Sequence, residues 1–248
     1  MIDNHTLEVV ANDFVPIVPY NTTNLSIGMG QRYDVIVNAK DLTSGNFWLR
    51  AIPQEACSET SAVDNVKGII RYDSSSTADP TTSAYSYTDS CADEDSSNLV
   101  PYLPLNASDT YTYGEDEEVA VQVTDNALLW TMNKTSFRTQ WENPTLMQVA
   151  NDSTSFTAKQ HVIQLPQANQ WVSFVIHSPF AQDHPMHLHG HDFLILASGY
   201  GDFDYSSITQ SSLVNAPRRD VAMLPASGYL AIAWRTDNPG VCIFLNYI

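Results

Sequence analysis

Lysine and arginine are scarce in this chain: 11 among 248 residues, against 28 aspartates and glutamates, for a formal charge of −17. So few cations cannot present the basic face that neutralises phosphates, which excludes nucleic acid as a partner. Long apolar runs are missing too, and nothing approaches the roughly 18 residues of a membrane-spanning helix. The opening Met1-Ile2-Asp3-Asn4-His5 has neither the basic start nor the apolar stretch of a signal peptide. There is no glycine-rich phosphate loop, no Gly-X-Ser-X-Gly elbow and no paired Cys-X-X-Cys zinc pattern. Amphipathic helical stretches of any length are also not evident.

What recurs instead are short runs of β-branched and aromatic residues between turn signals. Segments 7–10, 33–37, 47–51 and 67–72 read as strands of one unit. Segments 119–123, 162–165, 171–177, 193–196, 221–224 and 229–234 read as strands of another. This spacing points to antiparallel β-sandwiches, with Trp171, Trp234 and the tyrosines as core candidates. Between the units, from about residue 73 to 118, lies Ser/Asp/Pro-rich sequence such as Ser74-Ser75-Ser76 and Cys91-Ala92-Asp93-Glu94-Asp95. That composition predicts an exposed connector with no core of its own.

Four of the seven histidines fall within eight residues, His184-Pro185-Met186-His187-Leu188-His189-Gly190-His191. On an extended strand side chains alternate, so His187 and His189 share a face about 6.6 Å apart along the strand. Pro185 is expected to interrupt the strand geometry and let His184 face a separate site. Imidazoles held in this way suit zinc, copper, iron or nickel, and the spacing serves one metal or two neighbouring ones. The plain alternative is four solvated or hydrogen-bonded surface histidines.

The same stretch, continued through Asp192-Phe193, resembles a copper-ligand motif of the multicopper oxidases, in detail that of the laccases of filamentous ascomycetes. Gly30-Gln31-Arg32-Tyr33-Asp34-Val35, Pro217-Arg218-Arg219-Asp220 and Thr236-Asp237-Asn238-Pro239-Gly240 resemble further segments of that family, in its order. The likeness runs from about residue 1 to 241 and weakens only around 76–115. It implies an all-β protein of cupredoxin-like Greek-key sandwiches, one partial and one nearly complete. Residues 1–75 would be the latter part of cupredoxin domain 2, 76–115 a connector, and 116–248 a domain 3 truncated before its His-Cys-His motif. By position in the motif, His184 would be a ligand of type 1 copper, His187 of type 2 and His189 of type 3, while His191 matches a non-ligand. The implied activity is oxidation of phenolic substrates coupled to reduction of O₂ to water.

The resemblance also marks a departure. Where the family continues with a His-Cys-His segment, this chain has Leu245, Asn246 and Tyr247, and Cys242 stands four residues too early to be the blue-copper thiolate. Of the family's ten histidine ligands and one cysteine, those at 184, 187 and 189 are kept. A fragment that begins inside domain 2 and is inactive alone is therefore expected. Two origins fit the ending: read-through of an intron beginning at Val241-Cys242, or a diverged paralogue. Beside the fragment of an oxidase stand two other classes, a non-catalytic copper-binding module and an interaction protein.

The family further implies a disulfide between Cys57 and Cys91, which a secreted setting permits; two buried thiols are the alternative. Sequons at Asn4, Asn21, Asn24, Asn106, Asn133 and Asn151 exceed what this composition gives by chance and fit a secreted glycoprotein. His5, His161 and His177 are isolated and match no ligand, so each reads as hydrogen-bonded or solvated. Arg218-Arg219-Asp220 reads as an ion-pair cluster supporting the strand after it. Asp192 is either an acceptor orienting an imidazole or a turn residue facing water.

Overall fold

The computed structural model describes residues 1–39, 44–57, 59, 61, 66–165 and 167–246. It divides into two compact units, Met1–Leu103 and Pro104–Ile248. Strands dominate both. Among the described residues the only α-helix is the short α1, Thr145–Ala150.

Unit one holds β1 (Leu7–Asn12), β2 (Val15–Thr22), β3 (Tyr33–Val37), β4 (Asn46–Arg50) and β5 (Lys67–Arg71). They form a three-stranded sheet in the order β2-β1-β3 and a β4-β5 pair. β1 is the central strand and buries Leu7 and Val9, alternate residues that a strand sends to one face. β2 escapes detection in sequence because Pro16 and Pro19 demote it. It sits at a sheet edge, where a missing N–H costs no ladder bond. Asp3 is buried and salt-bridged to Arg50 through both carboxylate oxygens, at 2.8 and 2.7 Å, with the Thr82 hydroxyl donating to the same group. The Arg50 guanidinium holds the Asp3 carboxyl below its ordinary value. His5 is equally satisfied: Nδ1 donates to the Asp3 carbonyl at 2.7 Å and Nε2 pairs with the Tyr72 hydroxyl.

The Ser/Asp-rich stretch after residue 75 is pinned rather than loose. Asn46 Nδ2 donates to Ser76 Oγ at 2.8 Å, Val18 N to the Val100 carbonyl at 2.8 Å, and Leu99 is buried against Val9 and Ile17. One apolar anchor and a few backbone bonds thus hold a segment whose composition supplies no core. The Cys57–Cys91 disulfide is formed, with Cα atoms 4.9 Å apart.

Unit two comprises β6 (Tyr113–Thr124), β7 (Ala127–Met132), β8 (Trp171–His177), β9 (His184–Leu188), β10 (Phe193–Tyr200), β11 (Arg218–Arg219), β12 (Val221–Leu224), β13 (Gly228–Arg235) and β14 (Phe244–Asn246). Six strands form one sheet, β11-β10-β13-β8-β6-β7, and three form another, β12-β9-β14. Alternation explains the packing. Val172, Phe174 and Ile176 of β8 and Leu230, Ile232 and Trp234 of β13 face Met186 and Leu188 of the smaller sheet. Val175, Ala231 and Ala233 point the other way, beneath Leu213 and Ala216. Each fully buried aliphatic or aromatic side chain contributes on the order of 1.5–3 kcal/mol.

Three expectations from sequence need correcting here. Segment 162–165 forms no strand; Ile163 and Leu165 lean on the core from an irregular run. Strand β6 begins at Tyr113, within the stretch expected to be connector. Several tyrosines, among them Tyr102, Tyr200 and Tyr205, are exposed rather than core residues, while Trp234 is buried as expected.

Candidate metal centre

His184 and His187 lie on β9, the middle strand of the three-stranded sheet, and His189 and His191 follow its end. β9 pairs antiparallel with β12 over His184 to His187 and with β14 over Met186 to Leu188. Pro185 does not interrupt the strand, contrary to expectation. It lies opposite Met223 and beyond the end of the β14 ladder, so its absent N–H breaks no pairing on that side. His184 diverges from His187 for a simpler reason: the two are an odd number of residues apart and face opposite sides of the strand.

His184 is 4% exposed. Its Nδ1 lies 3.0 Å from the Gln182 carbonyl, which can only accept, so Nδ1 carries the proton and Nε2 presents a bare lone pair. That Nε2 is buried without a hydrogen-bond partner. Trp130 lies against the ring at 4.9 Å, and Phe180 stands edge-on to Trp130 at 5.4 Å. Burial in this apolar wall pushes the His184 pKa down and keeps the ring neutral. A buried, unprotonated and unpartnered imidazole nitrogen is a donor that could hold a cation.

His187 Nδ1 donates to the backbone carbonyl of Asp220 at 2.7 Å, with the Asp220 carboxylate 3.8 Å away. The partner fixes the tautomer and puts the ring's lone pair on Nε2. His189 follows the strand in a turn, its N–H continuing the ladder to the Ile243 carbonyl at 2.9 Å. The His187 and His189 rings lie 4.6 Å apart, as expected of neighbours two residues apart, although His189 falls just past the end of β9 rather than on it. Among the described residues, no three of His, Cys, Asp and Glu converge as a complete metal-binding group. The donors therefore suit an imidazole-binding metal such as copper, but as part of a ligand set.

The neighbouring acids divide their roles. Asp192 lies 2.6 Å from Arg218 Nε, so it serves an ion pair rather than an imidazole. Asp220, in the same motif as Arg218, supports His187 instead. Arg219 is fully buried. His161 approaches the buried Glu117 at 3.7 Å, and His177 approaches Glu118 at 3.9 Å, both away from β9.

Strand β14 bears on the missing ligands. Leu245 pairs with His187 and position 246 with Met186, so the residues at the expected His-Cys-His positions adjoin the histidine strand in register. Directly opposed residues share a face, which places Leu245 where an imidazole beside His187 would stand. Tyr247 lies outside the described residues.

The turn after His189 is tight. Gly190 has φ +76°, and a Cβ there would come within 3.0 Å of Asn238 Nδ2. Gly190→Ala is expected to lower stability by about 1–2 kcal/mol through this backbone strain and crowding. A chemical-denaturation midpoint unchanged from the parent would show that the turn yields freely.

A β-sandwich with His184 and His187 on opposite faces of an inner strand and His189 in the turn after it has a cupredoxin-type arrangement. Two family models described as multicopper oxidase match the chain, over residues 1–75 and 130–245. Laccase-2 of Botryotinia fuckeliana is 46% identical over 96% of the chain, and oxidoreductase OpS5 of Beauveria bassiana 44% over all of it. The crystal structure of laccase from Botrytis aclada superposes with a TM-score of 0.89 at 44% identity, covering 98% of this chain and 45% of that one. The chain belongs to the multicopper oxidase family, and fungal laccases are among its relatives. It spans less than half the length of these relatives, 42% of both Laccase-2 and OpS5.

Proposed function

We propose that this chain is part of a laccase-type multicopper oxidase, which oxidises phenolic substrates and reduces O₂ to water. In this reading His184 is a ligand of type 1 copper, His187 of type 2 and His189 of type 3. Copper, when bound, supplies the one-electron acceptor and the oxygen-reducing centre. The chain's own residues do the rest. The Asp220 carbonyl sets the His187 tautomer. Trp130 and the surrounding apolar core keep water from His184. The odd spacing between 184 and 187 puts these histidines on opposite faces of one strand, which supports giving them to two different centres. The observation that carries the reading is the pair of His187 and His189 rings 4.6 Å apart at the end of β9.

Alone, these 248 residues are proposed to be inactive, because Leu245 occupies the register position beside His187. The same observation supports the second reading, a non-catalytic copper-binding module or an interaction protein built on the sandwich. Secretion and glycosylation belong to the proposal as well. Asn4, Asn21, Asn106 and Asn151 are exposed, and Asn24 is partly so. Asn133 is exposed too, but its amide donates to Glu117 at 2.9 Å and accepts from Glu118 N at 2.8 Å, bonds a glycan there would disturb.

Equilibrium dialysis against Cu²⁺, with electron paramagnetic resonance of the bound ion, tests the ligand assignment. Nitrogen hyperfine coupling is expected, and His187→Ala and His189→Ala should each weaken binding about tenfold or more. Copper binding unaffected by either substitution would overturn the assignment.

A further inference from the structure

Two loops that the copper reading does not use meet at the end of β9. The turn after His189 carries His191, and the segment before β14 carries Asp237, Asn238 and Cys242. They are tied together, since Asn238 Nδ2 donates to the Gly190 carbonyl at 2.9 Å and His189 N to the Ile243 carbonyl at 2.9 Å. Gly190 lets them close: a Cβ on it would meet the Asn238 amide at 3.0 Å and Cys242 Sγ at 3.5 Å.

Within this junction Cys242 Sγ lies 3.8 Å from His191 Nδ1. The far nitrogen of that ring, Nε2, is 3.9 Å from Asp237 Oδ1 and buried without a hydrogen bond. The His191 side chain is only 8% exposed, although it sits in a surface turn. Cys242 is the one free cysteine among the described residues. A cation held between the thiol and the imidazole would complete a metal–histidine–carboxylate order, in which the outer acid orients the ring that ligates.

Two readings compete. Desolvation pushes the Cys242 thiol up, which disfavours an unassisted thiolate nucleophile, whereas a bound cation itself supplies the charge that stabilises the thiolate. A metal site needs two donors at coordination spacing. Zinc holds sulfur at about 2.3 Å and imidazole nitrogen at about 2.0 Å, which at a tetrahedral angle sets the donors roughly 3.6 Å apart. The observed separation is close to that. The thiol–imidazole pair is also the donor set that soft d¹⁰ cations prefer.

The geometry points to a second metal site, in which Cys242 Sγ and His191 Nδ1 bind a thiophilic d¹⁰ cation of the Zn²⁺ class and Asp237 orients the histidine. The site is independent of the copper assignment and shares no ligand with it. On binding, the S–H bond breaks, its proton goes to solvent, and an S–Zn bond forms; the imidazole stays neutral, with Nε2–H directed at Asp237. No electron is exchanged. Two protein donors leave the remaining positions to water, so the site is an open one.

Because Cys57 and Cys91 are joined to each other, the unreduced chain offers a single thiol to alkylation, and Zn²⁺ protection of that thiol reports the site. Iodoacetamide labelling of Cys242 should slow at least tenfold in Zn²⁺ relative to chelator. His191→Ala should abolish that protection, and Asp237→Asn should weaken apparent zinc affinity by up to about tenfold. Labelling indifferent to Zn²⁺, or protected equally in His191→Ala, would overturn the proposal. So would protection lost in His187→Ala but kept in His191→Ala, which would assign the cation to the copper residues. Should His191→Ala fail to fold, Cys242→Ser at an exposed position keeps the test: calorimetry should then lose one equivalent of Zn²⁺, and unchanged stoichiometry would sink the site.

Discussion

Refolded with copper, the 248-residue chain is expected to show neither blue colour nor turnover of a phenol. Intense visible absorption in a blue site arises from charge transfer between Cu(II) and a ligating thiolate, in a trigonal set with two imidazoles. Cys57 and Cys91 are consumed in a disulfide. Cys242 precedes β14 and stands four residues before the position that pairs with Met186. At roughly 3.3 Å per residue that is about 13 Å along the strand, more than a packed sandwich can absorb. Cys242 also has one imidazole beside it, that of His191, and not two. Oxygen reduction should fail separately, since His187 and His189 cannot by themselves furnish the ligands of a three-copper cluster. Visible spectra and oxygen uptake with a simple phenol check both halves. Oxygen-dependent oxidation that stops on His187→Ala would overturn the reading of these residues as an incomplete ligand set.

The histidine motif was legible because its information is local: a spacing of two residues keeps His187 and His189 close whatever the rest of the chain does. The roles of the neighbouring acids were not legible, because they depend on pairing between distant strands. Asp192 is next to the motif in sequence yet binds Arg218, while Asp220, 33 residues beyond His187, holds that ring. The meeting of Cys242 and His191 spans 51 residues and was invisible for the same reason. Strands made of compact apolar or β-branched runs, such as Trp171–His177 and Val221–Leu224, were found with their bounds. Those missed had specific causes. β2 carries prolines tolerated at an edge. β7 follows Asp125-Asn126, whose positive φ values make a tight hairpin, and its Ala-Leu-Leu-Trp run does not alternate cleanly.

The run Glu115-Asp116-Glu117-Glu118 falls at the end of the stretch whose composition predicts an exposed connector, yet it is part of β6, and alternation turns Glu117 inward to 2% exposure. Its carboxyl is pushed up to about 7, first by burial and then by the charges of Glu115 and Asp116. His161 Nε2, at 3.7 Å, offers little compensation because burial lowers the pKa of that ring as well. Asn133 Nδ2 donates to Glu117 Oε2 at 2.9 Å, a bond that either protonation state can accept. The folded chain therefore holds a proton that the unfolded chain releases near the ordinary value of 4.5. Between about pH 4.5 and 7 the native state binds more protons than the unfolded one, so this group's contribution to stability is fully present below the window and lost as pH rises through it. The shift corresponds to a cost of about 3 kcal/mol above pH 7. Glu117→Gln keeps the Asn133 bond and removes the charge. It should be near neutral at pH 4.5, should stabilise by up to about 3 kcal/mol at pH 8, and should flatten the pH dependence between. Because the rest of the acidic surface is common to both chains, denaturant unfolding of parent and variant across that range isolates the effect of this one residue. A variant no more stable than the parent at pH 8, with the same slope against pH, would show that the Glu117 carboxylate is already compensated in the fold.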